Sequence, residues 1–211
     1  MKLYEITQPN TLTKEQIKWL KAMKIKYTIN PQGLIDVNGD VDITSTYLTV
    51  IPVQFGHVGG DVNCDNNKLT SLQGAPQSVS GYFSCYGNKL TSLQGATQSV
   101  AGDFFCSNNK LTSLQGAPQS VGGDFYCGNN KLTSLHDIHK QIKSIKGTFY
   151  CDDDKIKSHI LGLLLIKDLK ELDGIKEVEN IINKHLVAGD HDVHMCQEDL
   201  IQAGFPEMAR L

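Results

Sequence analysis

Four near-copies of one 21-residue unit follow each other without a gap from Val58 to Gln141. They read VGGDVNCDNNKLTSLQGAPQS, VSGYFSCYGNKLTSLQGATQS, VAGDFFCSNNKLTSLQGAPQS and VGGDFYCGNNKLTSLHDIHKQ. A unit this short cannot enclose a core of its own. A period of about 20–50 residues is the mark of a solenoid, in which each unit buries its apolar face against the units before and after it.

Within the unit, apolar residues recur at repeat positions 1, 5, 7, 12 and 15. Positions 5 and 7 alternate as one face of a short strand does. Position 10 is Asn, followed by Leu two and five residues on. Gly before the strand and Gly-Ala-Pro after the second Leu mark bends, Gly allowing positive φ and Pro presetting φ. The spacing resembles the L-x-L-x-x-N-x-L-x-x-L core of a leucine-rich repeat, with Phe or Val and Cys in the first two leucine places. Fainter units flank the four. Val37 to Ile43, with Leu48 and Ile51, lies 21 residues upstream, and Ile145 to Cys151, with Ile156, follows a three-residue insertion around 137–141. The resulting expectation is an α/β solenoid, a short leucine-rich repeat arc over 37–157. Six strands at ~4.8 Å spacing would form one parallel β-sheet of roughly 25 Å on its concave face.

Stacking turns each repeat position into a row. Asn67, Asn88, Asn109 and Asn130 are expected to bond backbone groups at the turn after the strand, where buried polar groups need partners. Thr46 and Asp154 stand in that place in the outer units, ending the row. Cys64, Cys85, Cys106, Cys127 and Cys151 form a second row at the inward position. One Cys per turn makes a line, whereas a metal site needs ligands converging as a cage. Disulfides would leave one over, so core filling is the expected role and metal or redox use the competing one.

Variation gathers at the outward strand positions. Position 4 carries Asp40, Asp61, Tyr82, Asp103, Asp124 and Thr148. Position 6 carries Asp42, Asn63, Ser84, Phe105, Tyr126 and Tyr150, and position 8 carries Thr44, Asp65, Tyr86, Ser107, Gly128 and Asp152. Tyr82, Tyr86, Phe105, Tyr126 and Tyr150 thus line up among Asp61, Asp103 and Asp124. Outward aromatics in a polar surround are typical of protein-binding hot spots. The aspartates favour a partner with a basic patch. The competing reading is that the rings stack only to stiffen the sheet.

The formal charge of −3 provides no basic field for nucleic acid, and ring-stacking RNA sites need cationic grooves. The longest apolar run, Ile160 to Ile166, is far short of the ~20 residues that span a bilayer, and the start has no secretory apolar region. A soluble protein of the cytoplasm is expected, with no cofactor. Residues 1–36 carry +3 and are read as a cap: a helix over Lys14 to Lys24 starting at Thr11 or Thr13, then a hairpin around Pro31-Gln32-Gly33. A basic membrane-surface helix is the alternative reading of that segment.

Residues 158–211 are read as a helical cap or subdomain. One helix is expected from Ser158 to Leu169, a break at Asp173-Gly174, a second helix from Ile175 to Leu186, and short helices after Gly189. His191, His194 and Cys196, with His185 nearby, are the only grouping with the residue types for metal or nucleophile chemistry. They lack a matched second pair or an oxyanion motif, so packed loop residues are the plainer reading.

The N-x-L-T-x-L units are similar to those of secreted bacterial effectors, some of which append a ubiquitin-ligase domain with a Cys-x-Asp motif. Cys196-Gln197-Glu198-Asp199 does not match that motif. Nearly the whole chain resembles leucine-rich repeat proteins of tailed phages and prophages. The likeness rests on YTIN-P-x-G-x-I-D-V-N-G-D-V-D, N-K-L-T-S-L-x-G-A-P and a tail like ILGLLLIK, IINKHL and CQEDLIQAGF. It implies phage origin and no catalytic residues. The functional expectation is a non-enzymatic protein that occupies, and by analogy inhibits, a host protein such as a defence factor. The alternatives are an activity in the C-terminal helices and a structural virion component.

Overall fold

The computed structural model describes residues 12–151, 155–187 and 191–211, so Thr11, Asp152, Asp154 and Gly189 lie outside the described residues. Thr13 starts helix α1 (Lys14–Ala22). Its hydroxyl accepts the Gln16 N–H, and the Gln16 side chain accepts the Thr13 N–H in return. Leu20 is buried, with Trp19 and Met23 packed beside it. Strands β1 (Thr28–Ile29) and β2 (Ile35–Val37) pair antiparallel around Pro31-Gln32-Gly33. Asn30 Oδ1 holds that turn by accepting the N–H groups of Gln32 and Leu34.

Every following turn lays down two short strands. In chain order these are β3 (Val41–Asp42), β4 (Phe55–Val58), β5 (Val62–Asn63), β6 (Ser78–Val79), β7 (Phe83–Ser84), β8 (Ser99–Val100), β9 (Phe104–Phe105), β10 (Ser120–Val121) and β11 (Phe125–Tyr126). Helix α2 (Ile138–Gln141) absorbs the insertion, and β12 (Ser144–Ile145) and β13 (Thr148–Tyr150) resume the array. A 3₁₀ turn (Leu161–Leu165), β14 (Glu171–Asp173), α3 (Glu179–Val187) and α4 (Val193–Gln202) complete the chain.

The strands form two seven-stranded sheets, ordered β1-β2-β4-β6-β8-β10-β12 and β3-β5-β7-β9-β11-β13-β14. Among the described residues only the β1–β2 pair is antiparallel. Register advances one repeat per turn, Val62 opposite Phe83, Phe83 opposite Phe104 and Phe104 opposite Phe125. The fold is a parallel β-solenoid of about six turns with few helices. The single sheet expected from the sequence is therefore corrected to two. Position 1 (Val58, Val79, Val100, Val121) belongs to a strand of its own, and the Gly-containing segment after it is the corner between the sheets.

That corner couples two residue types. The carboxylate Oδ1 of Asp61 accepts the N–H of Tyr82 on the next turn at 2.9 Å. Asp40, Asp103 and Asp124 do the same for Asp61, Asp124 and Thr148 at 2.7–2.8 Å. A β-carbon at Gly60, Gly81, Gly123 or Gly147 would collide with that same oxygen. At these four turns position 3 is glycine for room beside a carboxylate, with no positive φ involved; Gly102, which follows Tyr82, instead meets backbone of the turn before. Gly81→Ala should cost about 1–3 kcal/mol. In a urea-denaturation cycle with Asp61→Ala, the double variant should lose clearly less than the two single losses combined. Strict additivity would show that the collision is relieved elsewhere.

Both sheets face one apolar core. Phe83, Phe104, Phe125 and Phe149 stack turn on turn at 5.2–5.6 Å, fully buried. Leu69, Leu90, Leu111 and Leu132 close the side opposite, with Leu72, Leu93, Leu114 and Leu135 beside them. Each such side chain contributes about 1.5–3 kcal/mol by leaving water, which is how two-residue strands hold together.

The C-terminal segment departs from expectation. No helix runs from Ser158 to Leu169. Ser158 bridges to Ser134, and Leu161, Gly162, Leu163 and Leu164 are all buried in the tight 3₁₀ turn. A run that is apolar throughout carries no polar face of the kind that supports a surface amphipathic helix, and only Leu165 of this turn reaches solvent. The next helix begins at Glu179, after β14 has added a seventh rung to the second sheet. On the far side of that rung Asn183 takes the place of a further strand. Its Oδ1 accepts the Leu172 N–H at 2.7 Å, and its Nδ2 donates to the Leu172 carbonyl at 2.8 Å.

Candidate interaction face

The outward side of the second sheet collects positions 4, 6 and 8. In-register pairing sets Ser84 between Asn63 and Phe105, and Phe105, Tyr126 and Tyr150 in one row. The rings interact continuously. Phe105 stacks on Tyr126 at 4.6 Å and Tyr126 on Tyr150 at 4.4 Å, nearly parallel, while Tyr82 meets Phe105 edge-on at 6.0 Å. All four stay partly accessible, and Tyr86 is 40% exposed. Tyr126 is stacked on both faces, by Phe105 and Tyr150, and the rings stay partly open to solvent.

Asp61, Asp103 and Asp124 stand in the neighbouring row, half-buried. Each spends one oxygen on the next turn, as described above. The second oxygen of Asp124 accepts the Tyr126 hydroxyl at 3.0 Å. Burial and that carboxylate push the Tyr126 phenol well above its ordinary range. Burial and Asp61 act in the same direction on Tyr82, with Asn63 opposing. The carboxyl of Asp65 is pushed up by burial against the hydrogen bonds it accepts from Ser84 Oγ and the Tyr86 N–H. Two hollows open on this face. One of about 330 Å³ lies over Ser84 between Tyr82, Tyr86 and Phe105. The other, about 230 Å³, lies beside Tyr126, Tyr150 and Asp173. Asn63, Asp65 and Ser84 were not singled out from the sequence. Their signal was available, since small residues stand at position 6 where later copies carry rings.

Behind the face lie the two inner rows. Asn67, Asn88, Asn109 and Asn130 are buried, and each Nδ2 donates to carbonyls of its own turn and of the turn before. Each Oδ1 accepts an N–H from the preceding turn: Leu48, Leu69, Leu90 and Leu111 in order, at 2.9–3.0 Å. Thr46 joins this row by donating to Asn67 Oδ1. Cys64, Cys85, Cys106, Cys127 and Cys151 carry no disulfide and are fully buried. The thiols of the first four donate to the carbonyls of Ser84, Phe105, Tyr126 and Tyr150 at 3.0–3.5 Å. Burial drives Cys64, Cys85 and Cys106 well above the ordinary thiol range.

The C-terminal histidines go to separate partners. His191 Nδ1 meets the Leu164 carbonyl at 2.8 Å, and exposed His194 sits 3.6 Å from Glu198. Buried His185 pairs with Asp199 at 2.9 Å, and Lys184 with the same oxygen at 2.7 Å. These contacts hold the Asp199 carboxyl below its usual range, Lys184 contributing most. Cys196 is buried, and burial together with Asp199 raises its thiol to about 12. A nucleophile needs the opposite shift. Among the described residues no group of three or more His, Cys, Asp or Glu is placed to hold a metal ion. Among them, too, no helix is long and apolar enough to cross a membrane. Compared with known protein families, curated proteins and solved structures, the chain matches none.

Proposed function

We propose that this solenoid is a non-catalytic binding protein that grips a basic patch on another protein through the aromatic and acidic face of its second sheet. The observation that carries this reading is the row Tyr82–Phe105–Tyr126–Tyr150, left partly open to solvent and edged by carboxylates. A sheet needing only stiffness has the buried Phe83–Phe104–Phe125–Phe149 stack already. The finer assignment, a leucine-rich repeat protein with helical caps and phage origin, belongs to the same proposal. The shared Asn row and the N-K-L-T-S-L sequence support it. In that setting the partner is a protein of the bacterial host cytoplasm, and occupying it blocks its action.

The test is capture from host lysate by the tagged chain, against the folded triple variant Tyr82→Ala, Phe105→Ala and Tyr126→Ala. Hot-spot rings are each worth about 2 kcal/mol or more, so the variant should lose its partner altogether. Retention of the same partner by the variant would move the site off this face. An absence of any partner with the wild type would favour a virion or self-assembly role.

A further inference from the structure

Within the reading just given, one subsite has a distinct chemistry. The hollow over Ser84 exists because position 6 changes from small to large along the sheet. Asn63 and Ser84 are followed by Phe105, so the ring row stops at a step. Tyr82 and Tyr86, two residues either side of Ser84 on the same strand face, close the ends, and Phe105 forms the wall on the following turn. The carboxylates of Asp65, from the turn before, and Asp103, from the turn after, complete the lining.

Oδ1 of Asp65 accepts from Ser84 Oγ and the Tyr86 N–H, and Oδ1 of Asp103 accepts the Asp124 N–H. No Lys, Arg or His among the described residues forms an ion pair with either. Two carboxylates among three rings, without a cation of their own, form an electronegative aromatic cup. Ring faces attract cations, and a planar guanidinium stacks on a ring while donating sideways to two carboxylates. A lysine ammonium satisfies only part of this set. The geometry points to an anchor pocket for one arginine side chain of the partner, seated over Ser84 against Phe105, with the carboxylates of Asp65 and Asp103 at opposite rims of the hollow.

The probe is the peptide acetyl-Gly-Arg-Gly-amide, titrated into the ¹⁵N-labelled full chain, with the citrulline peptide as neutral isostere. The arginine peptide should shift the amides of Ser84, Tyr86 and Phe105 at millimolar concentration, and citrulline should bind at least about fivefold more weakly. Asp103→Asn keeps the acceptor for the Asp124 N–H but removes the charge, and should weaken the arginine peptide by a similar factor. Ser84→Phe places in the hollow the residue that the next turn carries at that position, so it is compatible with the fold. It should abolish the shifts. Equal binding of arginine and citrulline, shifts elsewhere, or unchanged binding to Ser84→Phe would each overturn the assignment. Failure here is separable from failure of the interaction face. If the triple variant loses its partner while the peptide does not bind, the face stands and the arginine pocket falls. If the peptide binds over Ser84 while the triple variant keeps its partner, the partner does not use the hollow, and the anchor assignment falls with the face.

Discussion

Replacing Asn109 by alanine should cost about 3–5 kcal/mol, more than half the stability of many domains. Its Nδ2 donates to the Cys85 and Cys106 carbonyls at 3.0 and 3.2 Å, and its Oδ1 accepts the Leu90 N–H at 3.0 Å. The carbonyls are shared, since Asn88 also serves Cys85 and Asn130 also serves Cys106. The amide of Leu90 has no such second partner in the row. Truncation therefore removes two donated bonds worth about 1 kcal/mol each and orphans one buried N–H at about 1–3 kcal/mol. Asn109→Asp should be at least as damaging at neutral pH, because it turns a negative oxygen toward two carbonyls. Urea denaturation followed by circular dichroism measures both. Because neighbouring turns support each other in a line, a break here should also separate the unfolding of the two halves. A loss below about 1 kcal/mol would mean that water reaches this row.

The second large effect is alkaline unfolding. Burial holds the thiols of Cys64, Cys85, Cys106 and Cys196 above the ordinary value of 9.0. Below that pH both states keep these protons, and stability does not change on their account. Above it the unfolded chain releases them and the folded chain cannot, so stability falls as pH rises. Each thiol contributes about 1.4 kcal/mol per pH unit, and four together roughly 5–6 kcal/mol for each unit beyond the unfolded value. Urea midpoints should be flat from pH 7 to 8.5 and then drop steeply toward pH 10. Cys85→Val should reduce the alkaline slope by about a quarter, from four raised thiols to three. A midpoint unchanged at pH 10 would show that these sulfurs are accessible to water in the folded state.

The sequence announced the array because its signals repeat. Valine or phenylalanine at position 5, cysteine at position 7 and leucines at 12 and 15 all point inward, as the buried residues show. The Thr13 cap and the hairpin at Pro31-Gln32-Gly33 were legible for the usual local reasons. The first sheet was not, because Ser78–Val79 and its equivalents are two residues long and leave no period to detect. Strand β14 escaped for a similar reason, Leu172 being its only apolar residue. The run Ile160 to Ile166 has helix-forming residues but no polar side, and it folds as a 3₁₀ turn buried everywhere except at Leu165. At the face, the ring row followed from counting. The hollow over Ser84 is a contrast between neighbouring turns and is visible only once the register is known. The aspartates were read as bait for a basic partner, yet each first serves as a hydrogen-bond acceptor for the next turn.

Asn183 gives this molecule something that stacked parallel strands lack by nature. Every added rung presents the same unfilled bonding edge as the one before, so the stacking behaves as a growing polymer whose active end is renewed at each step. The side-chain amide of Asn183 fills one residue's share of that edge and carries no backbone edge onward. It is an end group in the polymer chemist's sense. The length of such an array is thus written in its terminator, and copies of the internal unit can multiply or be lost upstream while the finished particle remains discrete.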